Sequence, residues 1–364
     1  MKLLNSLRTY LRKFLKDLSI WYIERYGYHV TDKKSLYDWQ INPDYKTKYN
    51  LETKIPKDAK DYLYPTNPKL IQLRKDYQKF LGNNFKKGLW TENYLGEKDL
   101  IYFRGDNPYV HQRRGNQQSQ LAYLLTYFWL KSKHSKDLLS FNEEEESFGL
   151  FKYIIDNKII SRDLLDSFNE ILFLKEHFFS NYDTNVNILE IGAGYGRLAK
   201  WLTKNTNYIE HYYCIDAIPE STFISNYYLK YYKKIKNVTV VPIHKRKIFL
   251  ENQNISLAIN IHSFSEMAID FIKFWIEEVI SLRIPYLFIV PNAGHQYRGD
   301  LISFDNKNFE NIIESNGYEL VIKRDKYLEP YIQKYGLNPT IYYLYKNHKF
   351  LDIDQKLYSN SEII

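Results

Sequence analysis

Three glycines at alternate positions, flanked by two acidic residues, form the clearest chemical signal in the chain. Gly192, Gly194 and Gly196 lie in a nine-residue run that reads LEIGAGYGR. Glycines let a backbone turn tightly and approach a ligand that a Cβ atom would push away. Glu190 precedes the turn, and Asp216 ends the next apolar run, where a carboxylate can accept both hydroxyls of a ribose. The G-x-G-x-G spacing departs from the G-x-G-x-x-G dinucleotide fingerprint, which disfavours a nicotinamide cofactor.

An alternation of strands and helices is predicted to position this turn. Short apolar runs separated by helical patterns begin at Val186, and they predict a mostly parallel, doubly wound α/β sheet. Ligands bind beyond the carboxyl ends of the strands in such a sheet, where the glycine turn lies. The last two strands have no predicted helix between them, so we expect an antiparallel pair at one edge. The predicted strands are 186–191, 211–216, 238–243, 256–261, 286–290, 318–323 and 340–345, and the predicted helices are 197–205, 220–234, 265–282 and 306–316.

The part of the chain before this alternation is predicted to be mainly helical. Helices are expected at 70–81, 120–132 and 161–179, whereas 31–68 carries four prolines and is expected to be irregular. We therefore predict a helical N-terminal region over 1–155 that covers the substrate side, an α/β domain over 156–350 and a tail over 351–364.

The motif E-x-G-x-G-x-G, followed by an acid that ends a strand, resembles the class I S-adenosylmethionine-dependent methyltransferases. The resemblance implies a Rossmann-like domain and S-adenosylmethionine as cofactor. It implies that the turn, including Ala193, passes under the methionine part of the cofactor, that Glu190 supports the turn, and that Asp216 with Ala217 holds the ribose. The family often has an acid or amide after the third strand that contacts the adenine amine. Pro242-Ile243-His244 stands there instead, which leaves a backbone group as the candidate contact.

The acceptor and the base are expected near the ends of the fourth and fifth strands, which border the methyl group in this architecture. Transfer to a hydroxyl requires alignment and removal of a proton. His262 is the candidate general base and a cofactor neighbour, and its alternative is a structural histidine. Glu266 is the second catalytic candidate, although Ser263-x-x-Glu266 before a helix also has the pattern of a capping box. Asn292 and His295 are expected to face the acceptor, unless Asn292 only shapes a turn.

Two further segments are similar to bacterial sugar O-methyltransferases, over residues 95–350. They are His262–Met267, which reads HSFSEM, and Arg104–Gln112, which reads RGDNPYVHQ. The similarity implies a sugar hydroxyl of a capsule, lipopolysaccharide or related surface glycan as acceptor, linked to a nucleotide, a lipid or a polymer. Side chains of the second segment are expected to bind the acceptor, unless they only build a structural turn. Arg104, Asp106, Tyr109 and Gln112 would contact sugar hydroxyls, and Arg113 would contact a phosphate.

Charge and composition leave two other functions open. The net charge of +8 would suit nucleic acid, an anionic membrane or a phosphorylated substrate, but the basic residues are mixed with acids as on a solvated surface. An RNA or other nucleic-acid methyltransferase is the main alternative. The [DN]-P-P-[YFW] motif of amino methyltransferases is absent after the fourth strand, so no nucleic-acid partner is expected. A non-catalytic scaffold protein with the same fold is the third hypothesis.

The cysteine content limits the possible disulfides and metal sites, and the N-terminal segment bears on the cellular location. The single Cys214 excludes an intrachain disulfide framework and a CxxC zinc site, and no metal site is predicted, although dependence on a divalent cation stays open. Neither a signal peptide nor an apolar run of about 18 residues is present, so a cytoplasmic protein is expected. Residues 1–20 form a basic amphipathic helix, which would either contact anionic lipid at the inner membrane face or dock on the protein.

Overall fold

The N-terminal part of the chain is helical. The computed structural model describes residues 2–26, 53–82, 97–105, 120–143, 146–182, 184–292 and 299–351. Its first helices are α1 (Lys2–Arg25), α2 (Lys57–Tyr62), α3 (Pro68–Leu81) and α4 (Gln120–Ser140). Helix α3 begins where the Asn67 side chain accepts a hydrogen bond from the Lys69 amide, with proline in its first turn. Helix α4 is longer than predicted and is kinked at His134.

A small hairpin and a buried helix lead into the central sheet. Strands β1 (Tyr153–Ile155) and β2 (Lys158–Ile160) pair antiparallel, and helix α5 (Arg162–His177) follows with the Ser161 hydroxyl as its N-cap. The hairpin turn consists of Asp156 and Asn157, both at positive φ, as two-residue hairpins require. The sequence did not predict this hairpin, because each strand has only three residues.

The central sheet has seven strands, five of them parallel. Its order is β5-β4-β3-β6-β7-β9-β8, and β9 pairs antiparallel with both β7 and β8. The doubly wound fold and its antiparallel edge are therefore confirmed. The strands are β3 (Val186–Ile191), β4 (Ile209–Asp216), β5 (Val238–Pro242), β6 (Ile255–Ile261), β7 (Tyr286–Val290), β8 (Glu319–Asp325) and β9 (Ile341–Lys346).

Helices connect these strands and cover both faces of the sheet. They are α6 (Arg197–Asn205), α7 (Pro219–Ser225), α8 (Arg246–Leu250), α9 (Ile269–Ser281), α10 (Glu310–Ser315) and α11 (Pro330–Tyr335). All five residues of β7 are buried, as expected of a strand covered on both faces. One buried cluster includes Phe168 and Trp201, and a second includes Trp275 and Phe309.

Helices α7, α9 and α11 differ from the prediction. The helix predicted over 220–234 is α7 followed by a π-helix, Asn226–Tyr232, in a tyrosine-rich stretch. The helix predicted over 265–282 begins only at Ile269 and is preceded by a 3₁₀ turn, Ser263–Glu266. Helix α11 lies between β8 and β9, where no helix was predicted.

Aromatic side chains join the helical N-terminal region to the sheet domain. Phe103 stacks on Phe148 with ring centroids 4.6 Å apart and lies 5.2 Å from the ring of Tyr195 in the glycine turn. Tyr62 of α2 stacks on Phe223 of α7 at 4.9 Å. The N-terminal region therefore contributes to the same core as the turn. The division of the chain at residue 155 stays a prediction.

Candidate functional site

The glycine turn between β3 and α6 has a backbone that only glycine adopts readily. Gly192, Gly194 and Gly196 have φ values of 76°, 57° and 87°. A Cβ atom on Gly192 would collide with the Ser263 side chain, and one on Gly196 would collide with Leu229. A Cβ on Gly194 would meet no atom of the described residues within 4 Å. The middle glycine therefore leaves open space on the side that a ligand can approach.

Asp216 is hydrogen-bonded to the glycine turn. Its Oδ2 accepts from the Gly194 amide at 2.9 Å, and its Oδ1 accepts from the Ile218 amide at 2.8 Å. Burial raises the pKa of Asp216 to about 6, although these amide donors oppose the shift. The Ser221 side chain and the Ala217 amide also lower this pKa by hydrogen bonding, so the turn and the segment after β4 both hold the carboxylate. Ala193 and Ala217, also predicted at the cofactor, are buried beside these contacts.

Glu190 is a buried acid beneath the turn. It is 4% exposed and accepts a hydrogen bond from the Tyr212 hydroxyl at 2.9 Å. Burial raises the pKa of Glu190 to about 8, against the opposing effect of the Arg197 charge. The side chain is therefore largely protonated at neutral pH, which suits a residue that supports the turn from below.

The end of β6 is attached to the glycine turn by Asn260, a residue to which the sequence assigned no role. Its amide donates to the Ile191 carbonyl at 2.9 Å and to the Ser263 hydroxyl at 2.6 Å, and its oxygen accepts from the Phe264 amide. Ser263 is therefore engaged by Asn260 and lies six residues before the start of α9. The capping-box alternative for Ser263 and Glu266 is wrong for α9.

His262 has a strained backbone and a buried ring. It is 7% exposed and has a φ of 68°, a region that non-glycine residues rarely adopt outside functional sites and turns. Burial lowers its pKa to about 3, and the positive charges of Arg162, Arg197 and Lys326 contribute. The imidazole is therefore neutral at physiological pH, and this pKa makes it a weak proton acceptor.

The predicted residues Glu266 and Asn292 are brought together from the ends of two strands. The Asn292 side-chain amide donates to Glu266 Oε1 at 3.1 Å, and its backbone amide donates to the Ser265 hydroxyl at 3.1 Å. Both residues are partly exposed. The Glu266 carboxylate, oriented by the Asn292 side-chain amide, is thus accessible where β6 and β7 end.

Arg104 does not face an open surface. Its guanidinium is fully buried and pairs with Glu143 at 2.8 Å and with Asp163 at 3.5 Å. Because two carboxylates of the chain already pair with it, the prediction that Arg104 contacts a sugar hydroxyl is corrected to a structural role. The predicted acceptor residues other than Arg104 and Asn292 lie outside the described residues. They are Asp106, Tyr109, Gln112, Arg113 and His295.

A buried network of charges lies beside His262. Arg197 donates twice to the Glu170 carboxylate, at 2.7 and 2.9 Å. Lys326 pairs with Asp166 at 2.5 Å, and Arg162 pairs with the same carboxyl at 3.0 Å. Burial would raise the pKa of Asp166, but these cations outweigh it and keep that pKa below its ordinary value. The sequence did not predict this network, because Asp166 in α5 and Lys326 are 160 residues apart in the chain.

Asn338 is a second site residue that sequence reasoning missed. It lies between α11 and β9, and its amide nitrogen is 3.4 Å from His262 Nε2 and 3.5 Å from Asp166 Oδ2. Lys326 donates to the carbonyls of Leu337 and Asn338, each at 3.2 Å, and so holds this segment in place. Asn338 has a positive φ of 50°, a backbone feature that the sequence alone does not show.

Two negative findings apply to the described ranges. They contain no group of three or more His, Cys, Asp or Glu side chains arranged to hold a metal ion. None of their helices combines the length and the apolar character that crossing a bilayer requires.

Comparisons with known proteins give similarity at the level of the fold. Neither a family model nor a curated protein sequence matches the chain. A solved methyltransferase dependent on S-adenosylmethionine from Aquifex aeolicus is 19% identical over 49% of this chain and 88% of its own, with a TM-score of 0.36. Magnesium protoporphyrin IX methyltransferase from Synechocystis PCC 6803 is 11% identical over 51% and 82%, with a TM-score of 0.36. The cyclase SpnF is 10% identical over 64% and 97%, with a TM-score of 0.39.

The order of the strands and the position of the turn define the class of fold. Five parallel strands, with the glycine turn after the central β3 and an antiparallel β8–β9 edge, form a Rossmann-like fold, as the sequence resemblance to class I methyltransferases implied. The similarities above carry no information on the acceptor, because a fold can host unrelated chemistries.

Proposed function

We propose that the protein is an S-adenosylmethionine-dependent O-methyltransferase that acts on a sugar hydroxyl during synthesis of a bacterial surface glycan. The observation that carries the cofactor assignment is the contact between the Gly194 amide and the Asp216 carboxylate, beside the open space at Gly194. A Cβ atom at that glycine would fill the space, so the turn suits a ligand in close backbone contact.

The residues of the chain fit the parts of this cofactor. Asp216 ends the strand that follows the turn, the position from which an acid contacts a ribose in dinucleotide-binding sheets, and the turn offers backbone groups to the methionine part. When bound, the cofactor supplies a methyl group on a positively charged sulfur, which is already activated for transfer. The chain's remaining tasks are to align the acceptor, exclude water and take up the acceptor's proton.

We assign these tasks to two side chains after β6. His262 stays neutral, so it can exchange a hydrogen bond with the acceptor without carrying a charge that would repel a cationic donor. Glu266 is accessible and oriented by Asn292, so it is the stronger candidate for the group that receives the proton. Asn292 therefore acts on the reaction through Glu266. A hydroxyl acceptor accounts for the need for such a base.

A binding experiment and a chemical analysis test this function in sequence. Isothermal calorimetry should show S-adenosylhomocysteine binding to the wild type and loss of binding in Asp216→Ala, with the fold retained by circular dichroism. Linkage and mass analysis of surface glycans should then show one O-methyl group that disappears when the gene is deleted. It should return with the wild type but not with Glu266→Ala. Absence of binding would refute the cofactor, and unchanged glycans would refute the acceptor.

The same experiments distinguish the proposed function from the main alternative, an RNA methyltransferase. An RNA methyltransferase would leave the glycans unchanged and would bind RNA with a steep dependence on salt concentration, because it would neutralise several phosphates. The net charge of +8 and the aromatic content of 17% motivate this alternative, but the basic residues are distributed along the chain.

We also propose that α1 contacts an anionic membrane surface. Its apolar stripe is exposed, with Leu11, Phe14, Leu15 and Leu18 between 49% and 58% accessible. The helix is longer than the predicted basic segment and extends the stripe to Trp21, an aromatic residue suited to the headgroup region. Arg8, Arg12, Lys13 and Lys16 supply the positive charge, worth about 1 kcal/mol each near anionic lipid.

Vesicle sedimentation tests this contact. The full chain should pellet with vesicles that contain phosphatidylglycerol, and the pelleted fraction should fall with salt and with deletion of residues 1–20. A deletion that leaves the pelleted fraction unchanged would refute the proposal. Vesicles of phosphatidylcholine alone are the control for apolar adsorption.

A further inference from the structure

Asn338 lies against the ring of His262, and its position is fixed by other elements of the fold. Its side-chain nitrogen is 3.4 Å from His262 Nε2 and 3.5 Å from Asp166 Oδ2. Lys326 donates to its carbonyl at 3.2 Å, and the Thr126 hydroxyl of α4 accepts from the amide of the preceding residue at 2.8 Å. The Asn338 side chain is therefore held where it can act on His262.

The contact with Asp166 decides which way the Asn338 amide points. Asp166 is paired with Lys326 and Arg162, and these cations keep its pKa below the ordinary value. It is therefore an ionised carboxylate, which can only accept hydrogen bonds. The part of the Asn338 amide that faces it must be the NH2 group, because the amide oxygen has no proton to donate. The same NH2 group also faces His262 Nε2.

This NH2 group determines which nitrogen of His262 carries the ring proton. Nε2 has to accept from Asn338, so Nε2 is unprotonated. The pKa of about 3 keeps the ring neutral, and a neutral imidazole carries one proton, which is then on Nδ1. Among the described residues, Asn338 is the only hydrogen-bond partner of the ring. His262 retains 7% exposure, and Nδ1 is not among the enclosed unpartnered atoms of these residues, so its N–H is left for a ligand.

We propose that His262 donates a hydrogen bond from Nδ1 to the oxygen of the acceptor hydroxyl, and that Asn338 is the positioning residue that fixes this tautomer. The inference rests on the proposed function, because it requires an acceptor at the end of β6. It replaces the role of general base that the sequence suggested for His262 with the role of a donor.

This tautomer selects oxygen over nitrogen as the atom that is methylated. A hydroxyl oxygen has two lone pairs. One can accept from His262, and the other forms the new bond to the methyl carbon as the carbon–sulfur bond breaks. The hydroxyl proton passes to Glu266. A neutral amine has a single lone pair, so a donor at Nδ1 would compete with its attack on the methyl group.

Nitrogen NMR on the full-length protein measures the tautomer directly and needs no acceptor. Protonated and unprotonated ring nitrogens differ strongly in chemical shift, and a spectrum of His262→Asn identifies the signals of His262 in protein labelled with 15N-histidine. The wild type at pH 7 should show a protonated Nδ1 and an unprotonated Nε2. Asn338→Leu removes the donor and leaves the Asp166 carboxylate, so the proton should move to Nε2.

Asn252→Leu is the matched control for Asn338→Leu. Asn252 also has a positive φ, 65°, and it is exposed just before β6, at the end of the strand opposite His262. Leucine is strained at both positions, but only the change at Asn338 should alter the His262 signals. Asn338→Leu should also lower kcat by about tenfold, the scale of one hydrogen bond, with the affinity for S-adenosylhomocysteine unchanged. Asn252→Leu should leave kcat unchanged.

Two substitutions of His262 test the donation itself. The side-chain nitrogen of asparagine can take the place of Nδ1, whereas that of glutamine takes the place of Nε2. With glycan from the gene-deletion strain as acceptor, His262→Asn should lose at most about tenfold in kcat. His262→Gln should lose about 100-fold. A general base would be lost equally in both variants.

The outcomes separate this inference from the proposed function. A wild type with the proton on Nε2, or equal losses in His262→Asn and His262→Gln, refutes the inference and leaves the methyltransferase intact. A wild type that neither binds S-adenosylhomocysteine nor methylates the glycan refutes the proposed function, and the inference with it. A protonated Nδ1 together with the difference between asparagine and glutamine supports the inference, even if Asn338→Leu does not fold.

Discussion

The amide of Gly194 and the carboxylate of Asp216 are joined by a hydrogen bond of 2.9 Å, so the turn after β3 and the end of β4 form one unit. Any displacement of the turn also displaces the carboxylate. The binding of a ribose and the close approach of a ligand to the turn are therefore expected to respond together to substitutions at either residue.

Gly194→Ala should weaken cofactor binding while costing little stability. The φ of 57° strains an alanine by about 1 kcal/mol, and the added methyl group meets no described atom of the protein. It would occupy the ligand's space, so the affinity for S-adenosylhomocysteine should fall at least about tenfold by calorimetry.

Gly82→Ala is the control for an alanine at a positive-φ glycine outside the turn. Gly82 has a φ of 54° and a ψ of −139°, and no atom of the described residues lies within 4 Å of its missing Cβ. Urea unfolding should show that Gly82→Ala loses at least as much stability as Gly194→Ala, because this ψ strains an alanine more, and only Gly194→Ala should lose binding. Equal binding by both variants would contradict the assignment of the turn.

Glu190→Gln should change how stability depends on pH. The pKa of Glu190 is about 8 in the folded protein, above the ordinary value of 4.5, so the folded state favours the protonated form. Its stabilisation is present at low pH and is lost as the pH rises from 4.5 through 8. The wild type should lose on the order of 3 kcal/mol relative to the glutamine variant between pH 5 and 7.5.

Urea unfolding of both proteins at the two pH values measures this difference. The comparison cancels the other groups that titrate in this range, including Asp216. Parallel profiles for the two proteins would mean that Glu190 is ionised in the folded state.

His262→Ala should lower kcat without changing how kcat/KM depends on pH. Because the pKa of His262 is about 3, the ring does not titrate between pH 6 and 8. We expect kcat to fall by about 100-fold, the scale of a lost positioning or acid–base contact. The shape of the pH profile for kcat/KM should be the same in the variant and the wild type. A limb near pH 6.5 that disappears in the variant would show that His262 titrates during the reaction.

Lys326→Met should destabilise the protein strongly, because it leaves the buried Asp166 carboxylate with Arg162 as its one remaining ion-pair partner among the described residues. Removing one member of a buried ion pair costs about 3–5 kcal/mol. Lys307→Met breaks an exposed pair with Asp305 at 2.8 Å, and it should cost less than about 1 kcal/mol. Urea unfolding at pH 7 compares the two. Similar losses in both variants would show that the Asp166 network does not behave as a buried one.

The sequence predicted the central elements accurately where local pattern and burial agree. Strands Val186–Ile191 and Tyr286–Val290 and helix Arg197–Asn205 occur with the predicted bounds, since each has a compact apolar pattern that a turn or polar segment bounds. The start of α9 was misplaced because Ser263 and Glu266 have the spacing of a capping box. The tertiary contact with Asn260 engages the Ser263 hydroxyl instead.

The candidate site likewise has one part that the sequence predicts and another part that it does not. The proximity of Gly194 and Asp216 follows from the geometry of parallel strands, whose carboxyl ends meet at one edge. The pairing of Asp166 with Lys326, and the approach of Asn338 to His262, join segments far apart in the chain. No local pattern encodes such contacts, because they depend on how α5 and the β8–β9 connection pack on the sheet.

The connection that carries α11 is closed at its base. Lys326 holds the carbonyls of Leu337 and Asn338, and Gln333 donates to the Thr340 carbonyl. Leu328 and Tyr331, within this closed excursion, are 66% and 55% exposed. The side chains of Leu328 and Tyr331 can therefore change while Asn338 keeps its place beside His262. The outer surface of this connection is thus independent of the contacts at its base, so it can acquire new surface properties without a change in the packing around His262.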